Sequence, residues 1–213
     1  MMRNALALLG LVLLSACGAG GTSSAPDAPD SAILAARYVP DGPPSVTLFT
    51  VVNNQSGSGA HSGLLISGSE RVLFDPAGSF NHPRLPERGD MHHGMSDPMV
   101  AFYIDYHARE TYRVIEQTVA VSPMVAEMVL ARAKARGAVP KAHCANSISA
   151  ILRDVPGFES LNVTFFPNRL SDQFGALPGV TTRVITDDDA DDNHGVLLID
   201  PVAVEPTIRV SEN

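Results

Sequence analysis

His61-Ser62-Gly63-Leu64-Leu65-Ile66-Ser67 is followed by Gly68-Ser69-Glu70 and then by Arg71-Val72-Leu73-Phe74-Asp75. Two short apolar runs separated by turn-forming residues predict an antiparallel hairpin over 61–75. Upstream, Ser45-Val46-Thr47-Leu48-Phe49-Thr50-Val51-Val52 is rich in β-branched residues and reads as a neighbouring strand, joined to the hairpin by a Gly- and Ser-rich loop. Dense Thr, Tyr, Val and Ile over 111–121 predict another strand, and 180–186 and 195–200 two late ones. Helices fall between them. Ser122-Pro123 supplies an N-cap and a first-turn proline, with Met124, Val125, Met128, Ala131 and Ala135 as the apolar stripe and Gly137 as the stop. A second helix is expected from Cys144 to about Asp154, with Ala145, Ile148, Ile151 and Leu152 on one face. Shorter helices are expected at 98–107 and 167–176. Helices mixed with hairpin-linked strands give the class α+β.

The chain has 213 residues, 45% of them hydrophobic and 18% charged, which suits one globular domain plus extras. Its 23 acidic residues against 15 Lys and Arg give a net charge of −8 and no footprint for nucleic acid. Two cysteines exclude a disulfide framework and an all-thiolate zinc site.

The chain begins Met1-Met2-Arg3, continues as an apolar run from Ala5 to Leu14, and reaches Ser15-Ala16-Cys17. A basic start, a short apolar core and small residues describe a secretory signal over 1–16. The run is short for a transmembrane helix. Leu14-Ser15-Ala16-Cys17 resembles the bacterial lipobox, which implies that Cys17 carries lipid and anchors the chain to a membrane. Gly18, where an aspartate would mark inner-membrane retention, implies the outer membrane, facing the periplasm. The other reading is an ordinary signal cut near Ala16, with Cys17 incidental. Residues 17–32, rich in Gly, Ser, Ala and Pro, read as a flexible tether, and 33–213 as the domain.

That leaves Cys144 as the lone thiol of the domain. In the first turn of a helix, unpaired N–H groups and the positive end of the dipole favour thiolate, the form a nucleophile needs. A buried structural cysteine is the competing reading. His61, opening a strand after a Gly-rich loop, is the candidate base. Asp75, at the far end of the same hairpin, is within cross-strand reach as the acceptor that orients it. An ordinary turn over Asp75-Pro76-Ala77-Gly78 accounts for that aspartate equally.

The His61-Ser-Gly-Leu-Leu-Ile strand, its hairpin, and the later helix opening His143-Cys144-Ala145-Asn146-Ser147 together resemble the NlpC/P60 superfamily of papain-like cysteine enzymes. The histidine precedes the cysteine, as in the circularly permuted branch, which includes lecithin:retinol acyltransferase-like proteins. Phe166-Pro167-Asn168-Arg169-Leu170 is similar to a stretch that often follows the cysteine helix in permuted members. The resemblance covers roughly 45–176. It implies an antiparallel sheet packed against the cysteine-bearing helix, with Cys144 as nucleophile, His61 as general base and Asp75 as third polar residue. It implies acyl transfer through a thioester on amide or ester bonds, with peptidoglycan peptides or acyl groups as substrates and no cofactor. The alternative is a binding or scaffold lipoprotein of the cell envelope whose site has degenerated.

Three further features compete for attention. His82, His92 and His93 lie with Asp90 and Asp97 in the irregular segment 78–98, and are expected as a polar loop or site rim rather than a metal centre. His143 points away from its neighbour in a helix and makes a poor base for Cys144. The run from Asp189 to Asp200 partly resembles a calcium loop, but its glycine is one place late and its flanks look like strands, so a solvated acidic turn is expected and no metal is assigned.

Overall fold

The computed structural model describes residues 26–192 and 209–212. The expected signal peptide, Cys17 with the first part of the tether, and the late strand at 195–200 lie outside the described residues.

Among the described residues, eight strands form a single antiparallel sheet in the order β4-β5-β3-β2-β1-β6-β7-β8. They are β1 (Ser45–Asn53), β2 (Gly59–Ser67), β3 (Arg71–Phe74), β4 (Glu87–Arg88), β5 (Met91–His93), β6 (Tyr112–Ala120), β7 (Thr181–Thr186) and β8 (Arg209–Glu212). Five helices occur among the described residues: α1 (Asp30–Ala36), α2 (Asp97–His107), α3 (Pro123–Arg136), α4 (Cys144–Leu152) and α5 (Pro167–Gly175). The class is α+β, and the sheet packs against the helix that Cys144 opens.

The sheet separates two apolar cores. Side chains alternate along a strand, so Val46, Leu48, Leu64, Ile66, Val72 and Phe74 face one side while Phe49, Leu65 and Leu73 face the other. The first set packs against α3, α4 and α5 through Val129, Leu130, Ile148, Leu152 and Phe174. The second packs against α2 through Phe102, Tyr103 and Tyr106, with Phe80 and Leu85 from the segment between β3 and β4. β1 is buried from Val46 to Val52, since both its faces are covered. No helix among the described residues is long and apolar enough to cross a membrane.

Three expectations change. The α3 stripe is rotated: Val125, Ala126, Val129, Leu130 and Ala133 turn inward, and Met124 is 68% exposed. Ala126 and Ala133 are fully buried, and such small residues let the helix lie close to its neighbours. The Ser122 cap holds, its Oγ accepting from the Val125 N–H. The segment 78–98 is not a polar loop, because it forms β4 and β5 and buries His82, His92, His93 and Asp90. Asp90 Oδ2 accepts from the N–H groups of Ala77 and Val139, His82 Nδ1 accepts from the Arg84 N–H and His93 Nδ1 pairs with Glu70, while Phe80 meets the His92 ring edge-on and His92 Nδ1 has no hydrogen-bond partner among the described residues. Finally, the tether stops short of residue 32. The Ala28 N–H donates to the Glu87 carbonyl, Asp27 accepts from the Gly89 N–H, and α1 already begins at Asp30.

Candidate active site

His61 sits near the start of β2, beside an irregularity in the sheet. Val51 pairs with His61 but Val52 pairs with Gly59, so Ala60 is an extra residue. Such a bulge increases the local twist and re-aims the side chains next to it. His61 shares its strand parity with Leu65, on the α2 side of the sheet, whereas Cys144 belongs to the core on the opposite side. The twisted strand end is where the two meet.

One ring nitrogen of His61 is fixed by Asp75. Nε2 lies 2.7 Å from Asp75 Oδ1. The β2–β3 register ends at the pair Leu64 and Phe74, which sets Asp75 beside Gly63, two residues from His61. The Asp75 N–H donates to the Asp90 carbonyl, so the aspartate continues the pairing of its strand rather than fraying into the turn. The same oxygen, Oδ1, also accepts from the Tyr103 hydroxyl at 2.7 Å. Tyr103 comes from α2 and is 1% exposed. Gly63 makes this meeting possible, since a Cβ there would fall on the Tyr103 hydroxyl and lie 3.3 Å from Asp75 Oδ1.

Cys144 is the second partner of His61. The Cys144 thiol and the His61 imidazole interact by hydrogen bonding and charge, and backbone hydrogen bonding from Ser62 and Ala145 also favours the thiolate. Cys144 is the first residue of α4, where the helix leaves N–H groups without carbonyl partners. Burial would push the thiol pKa up, but the His61 imidazole and these donors outweigh it and hold it below the ordinary value. Burial likewise works against a charged His61. Asp75 and the Cys144 sulfur overcome it, raising the imidazole pKa to about 10. Both shifts favour the thiolate–imidazolium pair over its neutral form, and Asp75 is held below the usual carboxylate range by His61 despite its burial.

Two other imidazoles surround Asp75 without sharing its charge. Burial lowers His92 and His107 to about 4, against the pull of Asp75. His107 stacks on His61, with ring centroids 5.7 Å apart and planes 10° from parallel, and its Nδ1 donates to the Tyr103 carbonyl at 2.9 Å. His143, the cap residue of α4, packs against Phe165 instead.

A cleft of about 570 Å³ opens at His61. Its walls include Tyr106, His107 and Tyr112, with Asp191 and Asp192. On the other side, Asn168 at the start of α5 donates from Nδ2 to the Gly57 carbonyl at 2.8 Å, fastening the loop that leads into His61. Gly59 allows that approach, as a Cβ there would stand 2.6 Å from Asn168 Oδ1.

The structure thus brings Cys144, His61 and Asp75 together. Sequence reasoning did not find Tyr103, which lies within a stretch read only as an apolar helix face, nor His107. The glycine spacing after His61 was the available signal for Tyr103, because a glycine in a strand marks a close approach.

No protein-family model matches the chain, and neither does any curated protein or solved structure.

Proposed function

We propose that the protein is a thiol hydrolase or acyltransferase of the circularly permuted NlpC/P60 kind, acting on amide or ester bonds. The observation that carries this reading is the double engagement of His61, whose Nε2 lies 2.7 Å from Asp75 Oδ1 and whose imidazole also interacts with the Cys144 thiol. A structural cysteine has no need of a charged partner that is itself oriented by a buried carboxylate.

In this mechanism the Cys144 thiolate attacks a carbonyl carbon and forms a tetrahedral adduct. The N–H of Cys144, which has no helix carbonyl to serve, and its neighbours hold the oxyanion. His61 gives its proton to the departing amine or alkoxide, leaving a thioester on Cys144. Water, or an acceptor alcohol or amine, then gives a proton to His61 and attacks the thioester, and the thiolate returns. Asp75 keeps the imidazole in one tautomer and stabilises its charge throughout, with Tyr103 holding Asp75. Bound by lipid at Cys17 in the outer membrane, the enzyme would face periplasmic substrates, and cell-wall peptides are the first class to assay, followed by acyl esters.

The test is labelling by a thiol-directed probe at neutral pH. The wild type should react at least about tenfold faster than His61→Ala, whose cysteine reverts to an ordinary thiol. Equal rates would reject the triad and favour the scaffold reading. Turnover of peptidoglycan fragments or acyl esters, lost in Cys144→Ala, would fix the substrate class.

A further inference from the structure

A second cluster of acids lies behind the cleft wall. Asp105 from α2, Asp187 just after β7, and Asp189 bring carboxylate oxygens to within 4.8 Å of one another. Asp105 and Asp187 are 6% and 4% exposed, so two of these charges are withdrawn from water. Arg109 answers part of this, its Nη2 lying 2.8 Å from Asp105 and its Nη1 3.2 Å from Asp189. One guanidinium against three carboxylates leaves two negative charges over. Asp187 shows where the deficit falls. Its Oδ1 accepts from the Asp189 N–H, while its Oδ2 is buried and has no hydrogen-bond partner among the described residues. A buried carboxylate oxygen left bare costs free energy unless a cation or water meets it.

We propose that Asp105, Asp187 and Asp189 form a binding site for a hard divalent cation of the calcium class. An all-carboxylate donor set is the choice of hard cations, and three acids with water can complete the six to eight oxygens that calcium takes. The site differs from the calcium-loop pattern in the sequence. Asp191, the second acid of that pattern, is committed to the N–H and hydroxyl of Thr111, and Asn193 and Asp200 lie outside the described residues. The cation sits at the root of the 187–192 loop, whose Asp191 and Asp192 line the cleft beside His61. Binding fastens that wall from behind, through Asp105 on α2, and touches no group of the Cys144 site.

The test is calorimetric titration of EDTA-treated full-length protein with calcium chloride, and separately with magnesium chloride, alongside thermal melts. One calcium ion per chain should bind, with a Kd on the order of 10⁻⁴ M. About 10 mM calcium should then raise Tm by roughly 5–11 °C. Asp187→Asn should weaken binding at least tenfold. Asp188→Asn, which removes a surface carboxylate paired with Arg209, should not. If Asp187→Asn does not fold, Asp189→Asn, whose side chain is 58% exposed, is read in the same way. Wild-type protein that takes up neither ion at 10 mM, or that binds no better than the cluster variants, overturns the proposal.

Discussion

Tyr103 and His61 bind the same oxygen atom, Asp75 Oδ1, each at 2.7 Å. The phenol pKa is pushed well up, by burial first and then by the Asp75 charge, so Tyr103 remains a donor at any working pH. It shares the carboxylate with the imidazole and fixes its direction. Tyr103→Phe removes the hydroxyl and keeps the ring packed against Phe49 and Phe80. Losing a hydrogen bond to a charged acceptor should cost about 1.5–3 kcal/mol of stability, measured by denaturant unfolding. Labelling of Cys144 should slow as well; a variant that loses stability with unchanged labelling would make Tyr103 a packing residue only.

The pH dependence of labelling follows from the paired shifts. Cys144 lies below the ordinary thiol value, so reactivity should persist to lower pH than for a free cysteine and fall when the thiolate is protonated. Near pH 10 the His61 imidazolium loses its proton and the ion pair gives way to a free thiolate. In stability terms the raised His61 value stabilises the fold fully below the ordinary imidazole pKa, and that contribution is lost as pH rises toward 10. The lowered Asp75 value works oppositely, stabilising above the ordinary carboxylate range and fading as the pH falls through acid values. A rate–pH profile of iodoacetamide labelling checks the first pair of changes, and melts across pH the second. A profile identical to that of His61→Ala would contradict both.

Gly63→Ala should be more damaging than its size suggests. The new methyl would meet the Tyr103 hydroxyl and crowd Asp75, so either α2 or the aspartate must shift. Overpacking of this kind typically costs about 1–3 kcal/mol. The expected signature is lower stability together with labelling reduced at least tenfold, whereas retention of wild-type labelling would show that Tyr103 and Asp75 can part without consequence.

Asn168→Ala cuts the link between the start of α5 and the Gly57 carbonyl. One exposed hydrogen bond is worth about 0.5–1.5 kcal/mol, so Tm should change little. Labelling should decline more than stability does, because the loop in question delivers His61.

Ser122→Ala provides the control. It removes the cap of α3 and should cost about 1 kcal/mol, with labelling at wild-type rates when measured well below Tm. A matching loss of labelling would mean that reactivity tracks general stability and not the local geometry of the site.

The hairpin carrying His61 and Asp75, and the helix opened by Cys144, were legible because they rest on local signals: strand runs, a turn, an apolar helix face. The meeting of Cys144 with His61 was not a local signal; order along the chain and likeness to known enzymes suggested it. Tyr103 escaped because its hydroxyl looks like any aromatic position on an apolar helix face. The histidines of 78–98 were misread because polar residues next to Gly and Pro resemble surface loop. Their burial depends on partners far along the chain, such as Glu70 for His93 and Phe102 for His82. The inward face of α3 was ambiguous for another reason: its sequence offers apolar or small residues on adjacent faces, and close packing decided between them.

The two cores on either side of the sheet have a bearing on when the sulfur becomes dangerous to its surroundings. Cys144 is anchored in one and the Asp75–Tyr103 support of His61 in the other. A partly folded chain that has built only one of them carries an ordinary, sluggish thiol. Under the proposed function the reactive sulfur is in that sense a product of complete folding, and the thiol of a partly folded chain stays sluggish toward oxidation until its last layer is in place.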